Sequence, residues 1–366
     1  KEFLIFIFFL IYFFLGILIY KDYGIGIEEH FQRKNGFYWF NFLLSFLEEN
    51  NLHTIANIKY QNILTEYPNL PDINFLNFYG IAFDLPLAFL ETILAIEKSQ
   101  IYFQMRHLAI FIIFFISAIS FYKIIRRRFK YFPLYLIGIT FYVGSPRIFG
   151  DSFHNNKDIL FLSFLTISIH YLFNFFEKDN NKNLILFCFF AALATSSRIM
   201  GVYLPILLIC FLLVEFLTKK INLSSLFKLF GKIFFFYIFF LFLHYPYIWE
   251  LNIFEISNWF KKFFFWMDIQ ILFAGEYYKI KYLPRFYLPF WLLNTIPLII
   301  FLLSLIGFII LVQRVFNRLI NIETNKINNR DFWQSINEKK DLFILLSFLI
   351  ELDIVPQFVS IPPSHL

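Results

Sequence analysis

Two adjacent glutamates, Glu28 and Glu29, follow the first apolar stretch of the sequence in the segment "DYGIGIEEHFQ". A carboxylate near a low-dielectric surface has a raised proton affinity. One of the pair is therefore a candidate general base, and the other is a candidate orienting group or metal ligand. The alternative is a solvated loop start, where acidic residues are common. Position alone favours this alternative, so a functional role needs support from the rest of the chain.

The gap "GSPRIFGDSFHNNKD" between two long apolar stretches gathers five residues of functional type, namely Arg147, Asp151, His154, Lys157 and Asp158. Arginine and lysine bind phosphate groups, and Asp151 is a candidate for orienting a basic group or a substrate hydroxyl. The alternative is a loop of turn formers with a helix N-cap near position 155 or 156. The density of such residues in one short gap favours a binding site for a lipid phosphate.

Two further cations stand near the ends of apolar stretches. Arg198, in "ATSSRIMG", is either a functional intramembrane arginine or a side chain that snorkels from a helix end. Arg285 lies in "GEYYKIKYLPRFYLPFW", which predicts either an aromatic belt or a surface for an anionic lipid carrier. His154 has no second His or Cys at metal-ligand spacing, so no metal site is predicted. No cofactor is required, and a divalent metal ion is left open without support.

The composition shows what must position these residues. Hydrophobic residues make up 59% of the chain and the mean hydropathy is +0.64, whereas a soluble domain has about 45–50% apolar residues. We expect an all-α, polytopic transmembrane helical bundle of about eight to nine spans. The expected spans are 3–20, 107–125, 131–147, 159–176, 183–199, 201–217, 233–248, 286–312 and, more weakly, 342–356.

Lysine and arginine concentrate in alternate loops, at 126–130, 177–182, 219–232 and 314–340. The positive-inside rule makes these loops cytoplasmic, together with the N-terminus. The glutamate pair, the 148–158 gap, Arg198 and Arg285 then all face the opposite compartment. This shared location predicts one extracytoplasmic site. The net charge of +6 is therefore an indicator of topology and not of nucleic-acid binding.

The first outer loop, residues 21–106, is too long to be a simple connector. Phe37, Phe40, Leu43, Leu44 and Leu47 stand at helical spacing within it, which predicts an interfacial amphipathic helix, and the segment 77–96 predicts a second. We interpret residues 1–366 as one transmembrane domain. The chain starts at Lys1 and ends at "SIPPSHL", which we interpret as a fragment without further C-terminal helices.

Several of these features resemble the glycosyltransferase family 39 group, the polyprenyl-phosphate-sugar-dependent membrane transferases of the GT-C fold. They are the acidic pair after the first span, the long first outer loop, "RHL" at the start of the second span and "SPRIFGDSFHNNKD" after the third. The segments "SSRIMG" and "YLPFWLLNTIP" are similar to those of bacterial members. The resemblance covers about residues 1–310.

The resemblance implies an inverting transfer, in which a sugar leaves a polyprenyl phosphate while a carboxylate of the first outer loop deprotonates an acceptor hydroxyl. The family's Asp-Glu pair falls on Glu28 and Glu29. Glutamate stands where the family usually has aspartate, and which of the two is the base is left open. Asp151 matches the second acidic position. The candidates for the lipid phosphate are Arg147, Lys157, Arg198 and Arg285.

The implied partners are a polyprenyl-phosphate-linked sugar, membrane lipids and a protein, lipid or glycan acceptor, without nucleic acid. The implied location is the bacterial inner membrane, with the site on the periplasmic side. A lipid or glycan transporter such as a flippase is the main alternative. It predicts ionisable residues at mid-helix along several spans, and spans such as 107–125 and 159–176 have few. A structural membrane protein predicts scattered outer charges instead of clusters.

Overall fold

The computed structural model is an all-α protein, which confirms the predicted fold class: 79% of it is helical. The structure describes residues 1–366 except 27, 48–50, 73–78, 247–248, 250–269, 280–281, 285, 325–332, 334 and 361–366. The chain forms two compact units. The first comprises Lys1–Val202 and Ile233–Glu250, and the second comprises Tyr203–Lys232 and Leu251–Leu366.

The first unit holds most of the helices. They are α1 (Glu2–Ile19), α2 (Glu29–Leu44), α3 (Asn51–Glu66), α4 (Asp84–Ile93), α5 (Ser99–Arg128), α6 (Phe132–Gly144), α7 (Pro146–His154), α8 (Asp158–Lys178) and α9 (Asn181–Ser197), followed by a 3-10 helix (Ile199–Val202). Proline in the first turn begins α6 and α7, where its missing N–H costs nothing. The side chain of Asn180 accepts a hydrogen bond from the Lys182 amide and caps α9.

Aromatic side chains pack the core between α1, α5 and α7. The rings of Phe111 and Phe153 stack at 5.2 Å, and Tyr12 lies 5.6 Å from Phe111. Both phenylalanines are fully buried. Offset-stacked and tilted aromatic pairs add about 0.5–1.5 kcal/mol each beyond their area burial. The short α7, which carries much of the 144–158 segment, is therefore fixed firmly against α1 and α5.

Three helices, α2, α3 and α4, occupy the long first outer loop. Phe37, Phe40 and Leu44 of α2 are buried in one cluster with residues of α3 and α4, as their spacing predicts. The prediction is wrong for Leu47, which lies beyond the end of α2 and is exposed, and Leu43 is only half-buried. The helix differs from a surface helix in that Glu29 and Gln32 are buried as well. In the described part of the predicted segment 77–96, residues 79–96, the one helix is α4. The interfacial position of these helices stays a prediction.

Close approach of α2 and α4 depends on one glycine. A Cβ atom on Gly36 would lie 2.6 Å from the backbone oxygen of Asp84, the first residue of α4. No side chain fits at this distance, since the neighbouring atom belongs to the backbone. Gly36 therefore sets the spacing at which the N-terminus of α4 lies against α2.

The second unit combines apolar helices with a small hairpin. Its elements are α10 (Tyr203–Leu217), β1 (Gln270–Phe273), β2 (Glu276–Lys279), α12 (Tyr287–Thr295), α13 (Leu298–Thr324) and α14 (Ile336–Ser360), and α11 (Leu223–His244) contributes to both units. Ala274 and Gly275 both have positive φ between the strands, as a two-residue hairpin turn requires. Lys339 of α14 donates to Glu215 of α10 at 2.7 Å.

Six helices among the described residues are long and apolar enough to cross a membrane: Glu2–Ile19, Ser99–Arg128, Asp158–Lys178, Ile199–Leu217, Leu223–His244 and Leu298–Asn317. The chain is a multi-pass membrane protein. The predicted spans 131–147 and 183–199 form helices of 13 and 17 residues. The predicted span 286–312 is divided, because Ile296 adopts the extended conformation that a following proline favours.

We expect Gly36→Ala to destabilise the protein, because its methyl group would overlap the backbone of Asp84 and force α2 and α4 apart. Overpacking of this kind costs about 1–3 kcal/mol. Thermal unfolding in detergent measures the effect as a lowered Tm. Gly150→Ala is the matched control, because no atom lies within 4 Å of its added Cβ. Equal Tm values for the two variants would contradict the role of Gly36.

Candidate functional site

A buried carboxylate–imidazole pair joins α2 to α5. Glu29 begins α2, and its two carboxylate oxygens lie 3.1 and 3.2 Å from Nε2 of His107. Both side chains are only 2% exposed. The residues are 78 positions apart in sequence, so only the folded chain brings them together. His107 therefore fixes the position of the Glu29 carboxylate.

The neighbouring residue of α5 forms a second buried pair. Arg106 Nη2 donates to Asp84 Oδ1 at the start of α4, and both side chains are buried. Burial raises the pKa of Asp84, and the Arg106 guanidinium opposes that rise. Two consecutive residues of α5 thus hold the N-terminal residues of α2 and α4.

A third buried group ties the outer helices together. Glu91 of α4 accepts from Arg33 of α2 at 2.6 and 3.0 Å, and from Lys59 of α3 at 3.4 Å. The Arg33 guanidinium also lies 3.7 Å from the ring centroid of Tyr102 in α5. These contacts connect all four helices. Glu29 therefore belongs to a set of helices that are held together by buried side-chain contacts, and not to a loop.

The turn between α7 and α8 presents a lysine. The side-chain oxygen of Asn155 accepts from the amides of Lys157 and Asp158 at 3.2 and 2.9 Å, as in the alternative of a turn near a helix cap, and the N-cap residue of α8 is Lys157. Lys157 Nζ lies 2.5 Å from Glu28 Oε2 and 4.0 Å from the ring centroid of Tyr79. Burial raises the pKa of Tyr79 to about 12, so its hydroxyl stays protonated at neutral pH.

These elements surround an open cavity of about 550 Å³, which we call the outer cavity. Its volume is within the range of about 300–1,000 Å³ that small-molecule sites occupy. Its lining includes five charged residues and a histidine: Glu28, Glu29, Lys157, Asp158, Arg198 and His154. Arg198 also forms an ion pair with Asp158. Three acidic and two basic side chains, together with His154, thus converge on one space.

A smaller space of about 30 Å³, the inner chamber, shares Asn156 and Lys157 with the outer cavity. Its polar lining includes Gln32, Asn35, Tyr79, Asp84 and Ser196. A space of this size holds about two water molecules. Polar side chains from α2, α4 and α9 therefore meet beside the lysine that borders both spaces.

The structure brings four of the predicted site residues together: Glu28, Glu29, Lys157 and Arg198 line the outer cavity. Arg147 and Asp151 lie on α7, where Asp151 is 3.8 Å from Arg147 and 3.7 Å from His154. Neither of them is among the described residues that line the outer cavity. Arg285 lies outside the described residues.

Sequence reasoning did not single out His107, Asp84 or Gln32. The signal for His107 was present in "RHL", since two basic residues at the start of an apolar span need buried partners. Asp84 was indistinguishable from the nine other acidic residues of its loop. In the part of the chain that the structure describes, no group of three or more His, Cys, Asp and Glu side chains could hold a metal ion.

Residues 87–245 match a family model described as dolichyl-phosphate-mannose-protein mannosyltransferase. Searches of curated proteins and of solved structures each gave no significant match. The match covers less than half of the chain, and this part of the chain is similar to membrane glycosyltransferases of the GT-C type. It is narrower than the resemblance over residues 1–310. It includes His107, Lys157 and Arg198 but begins after the glutamate pair.

We expect Asp84→Asn to be strongly destabilising, because it leaves the buried Arg106 guanidinium without a counter-charge. Breaking such a pair costs about 3–5 kcal/mol. Asp158→Asn is the matched control, since the Asp158–Arg198 pair is largely exposed and its loss costs no more than about 1 kcal/mol. Thermal unfolding in detergent compares the two. Similar losses of Tm would show that burial of the Asp84 pair has no energetic consequence.

Proposed function

We propose that the protein transfers a sugar from a polyprenyl-phosphate carrier to an extracytoplasmic acceptor hydroxyl, with inversion at the anomeric carbon. One observation supports this most directly: an oriented carboxylate, Glu29, lines the same cavity as two cations, Lys157 and Arg198. A carboxylate can take the proton from the hydroxyl group of the acceptor substrate, and cations can bind the leaving phosphate. The family match supplies the general activity, and the cavity supplies the parts that such a transfer needs.

Glu29 is the better candidate for the general base. Its carboxylate is buried and oriented by His107, whereas the Glu28 side chain is 57% exposed and paired with Lys157. In the proposed step Glu29 takes the proton from the acceptor hydroxyl, and the acceptor oxygen attacks the anomeric carbon. The bond between that carbon and the phosphate oxygen breaks, and the electron pair leaves with the polyprenyl phosphate. His107 holds the carboxylate in place at the lining of the cavity.

Lys157 and Arg198 are the proposed phosphate ligands, although each has a carboxylate partner in this structure. Those partners, Glu28 and Asp158, are 57% and 54% exposed. An exposed ion pair such as Arg198–Asp158 contributes only about 0–1 kcal/mol, so a phosphate can replace Asp158 at little cost. The Lys157 side chain is only 11% exposed, and there a phosphate replaces the Glu28 carboxylate with another anion that forms charge-assisted hydrogen bonds. In this proposal the two carboxylates keep the cations in place while the cavity is empty.

Asp151 and Arg147 have supporting roles in this proposal. Asp151 lies 3.7 Å from Nε2 of His154, which lines the outer cavity. In this proposal Asp151 orients the His154 side chain and does not contact the reacting atoms. Arg147 is 64% exposed and is available to a lipid headgroup next to the carrier. The distribution of basic loops supports placing the site on the periplasmic side of a bacterial inner membrane.

We expect Glu29→Gln to lower the rate of sugar transfer by about 100-fold or more, because the amide cannot accept the acceptor's proton. The assay measures transfer of radiolabelled sugar from a polyprenyl-phosphate donor by the purified protein in detergent. A thermal unfolding curve shows whether the variant is folded.

Glu28→Gln is the matched control for this experiment. We expect less than a tenfold loss, because Glu28 is exposed and only pairs with Lys157. A larger loss for Glu28→Gln than for Glu29→Gln would assign the base to Glu28. Undiminished transfer by both variants would contradict the site, and movement of the labelled lipid across a vesicle bilayer without sugar transfer would favour a transporter.

We expect Lys157→Met to raise the KM for the lipid donor by about tenfold or more, since a hydrogen bond to a charged group contributes about 1.5–3 kcal/mol. Lys98→Met is the control, because Lys98 is exposed and lies outside both lining sets. Donor-titration kinetics measure both variants. An unchanged donor KM for Lys157→Met would contradict its role in phosphate binding.

A further inference from the structure

Three carboxamide side chains line the inner chamber, and among the described residues one of them has a buried oxygen without a hydrogen-bond partner. Gln32, Asn35 and Asn156 are 4%, 4% and 8% exposed. Oε1 of Gln32 is buried and has no hydrogen-bond partner. No described residue hydrogen-bonds to the side-chain amides of Asn35 or Asn156 either. The three amides come from α2 and from the turn before α8, and they meet at one small space.

Such an arrangement is costly unless something polar occupies the chamber. Each carboxamide offers two donors and one acceptor, and a buried group left unpaired, such as Oε1 of Gln32, costs about 1–3 kcal/mol. The chamber has room for about two water molecules, which can satisfy part of this capacity. Groups that both donate and accept fit the amides best, and the hydroxyl groups of a sugar have this property.

The position of the inner chamber next to Lys157 indicates which part of the donor substrate can enter it. Lys157 and Asn156 line both the outer cavity and the inner chamber. If Lys157 holds the donor phosphate, one of the two groups bonded to that phosphate, the sugar or the polyprenyl chain, lies beside Asn156. The polar side chains of Gln32, Asn35, Asp84 and Ser196 in the chamber fit the sugar and not the hydrocarbon chain. The apolar walls contributed by Phe31 and Phe83 suit the C–H faces of a sugar ring.

We propose that the inner chamber is the subsite that reads the hydroxyl groups of the transferred sugar, with Gln32, Asn35 and Asn156 as the discriminating residues. The proposal rests on the proposed function, because it takes the phosphate position from Lys157. The ring enters from the outer cavity, and one hydroxyl-bearing edge displaces the water of the chamber. Gln32 lies three residues after Glu29 on α2, so the same helix carries the base and part of the sugar subsite.

The test compares donors that differ by one hydroxyl. Polyprenyl-phosphate-linked mannose, glucose and galactose are first assayed with the unmodified protein to find the accepted hexose. Monodeoxy versions of that donor are then compared in kcat/KM with the unmodified protein and with Gln32→Met, which keeps the side-chain length but removes the amide. Gln61→Met, an identical change at an exposed position of α3, is the control.

We expect the unmodified protein and Gln61→Met to prefer the intact sugar over at least one deoxy donor by about tenfold or more. Gln32→Met should reduce that preference to within about twofold. An Asn156→Ala variant repeats the comparison with a smaller side chain, so the test stands if the first variant does not fold. The proposed sugar subsite is wrong if the unmodified protein uses every deoxy donor as well as the intact donor, or if both variants keep the original preference. In either case the proposed transferase activity is not contradicted. If the unmodified protein transfers none of the three hexoses, the proposed function itself fails for these donors, and with it this inference.

Discussion

The arrangement of the site depends on two buried contacts made by consecutive residues of α5. Arg106 holds Asp84 and His107 holds Glu29, and all four side chains are buried. A buried charge that lacks a partner is far more costly than one that is paired and hydrogen-bonded. The chain therefore has a strong energetic reason to bring the N-terminal residues of α2 and α4 to the start of α5. The carboxylate that lines the outer cavity is placed by this requirement.

Helix α2 links this constraint to recognition. Glu29, Gln32 and Gly36 lie at intervals of three and four residues, so they share one face of the helix. On that face Glu29 reaches the outer cavity, Gln32 lines the inner chamber, and Gly36 allows α4 to approach. A shift or rotation of α2 would move all three together. In the proposed enzyme, the positions of the base and of the sugar-reading amide are thus coupled through one rigid element.

Much of the fold was predictable from composition and pattern, because apolar stretches of about 20 residues form helices in a membrane. The break of the predicted span 286–312 at Ile296 could also have been predicted, because Pro297 follows it in the sequence. The high hydropathy of the whole stretch favoured one continuous span instead. Grouping of Glu28, Glu29, Lys157 and Arg198 followed from the charge bias of the loops. The division of roles between the two glutamates did not, because it depends on His107, which is 78 residues away from Glu29.

The coupling free energy between Glu29 and His107 tests most directly whether His107 fixes the position of the Glu29 carboxylate. A double-mutant cycle with Glu29→Leu, His107→Leu and the combined variant, read as free energies of unfolding in detergent, isolates this contact from the rest of the helix bundle. We expect a coupling free energy of about 1–3 kcal/mol, because each single change leaves a buried polar partner unsatisfied. Effects that add to within about 0.5 kcal/mol would show that the two side chains do not meet, and the position of the carboxylate would then have no support.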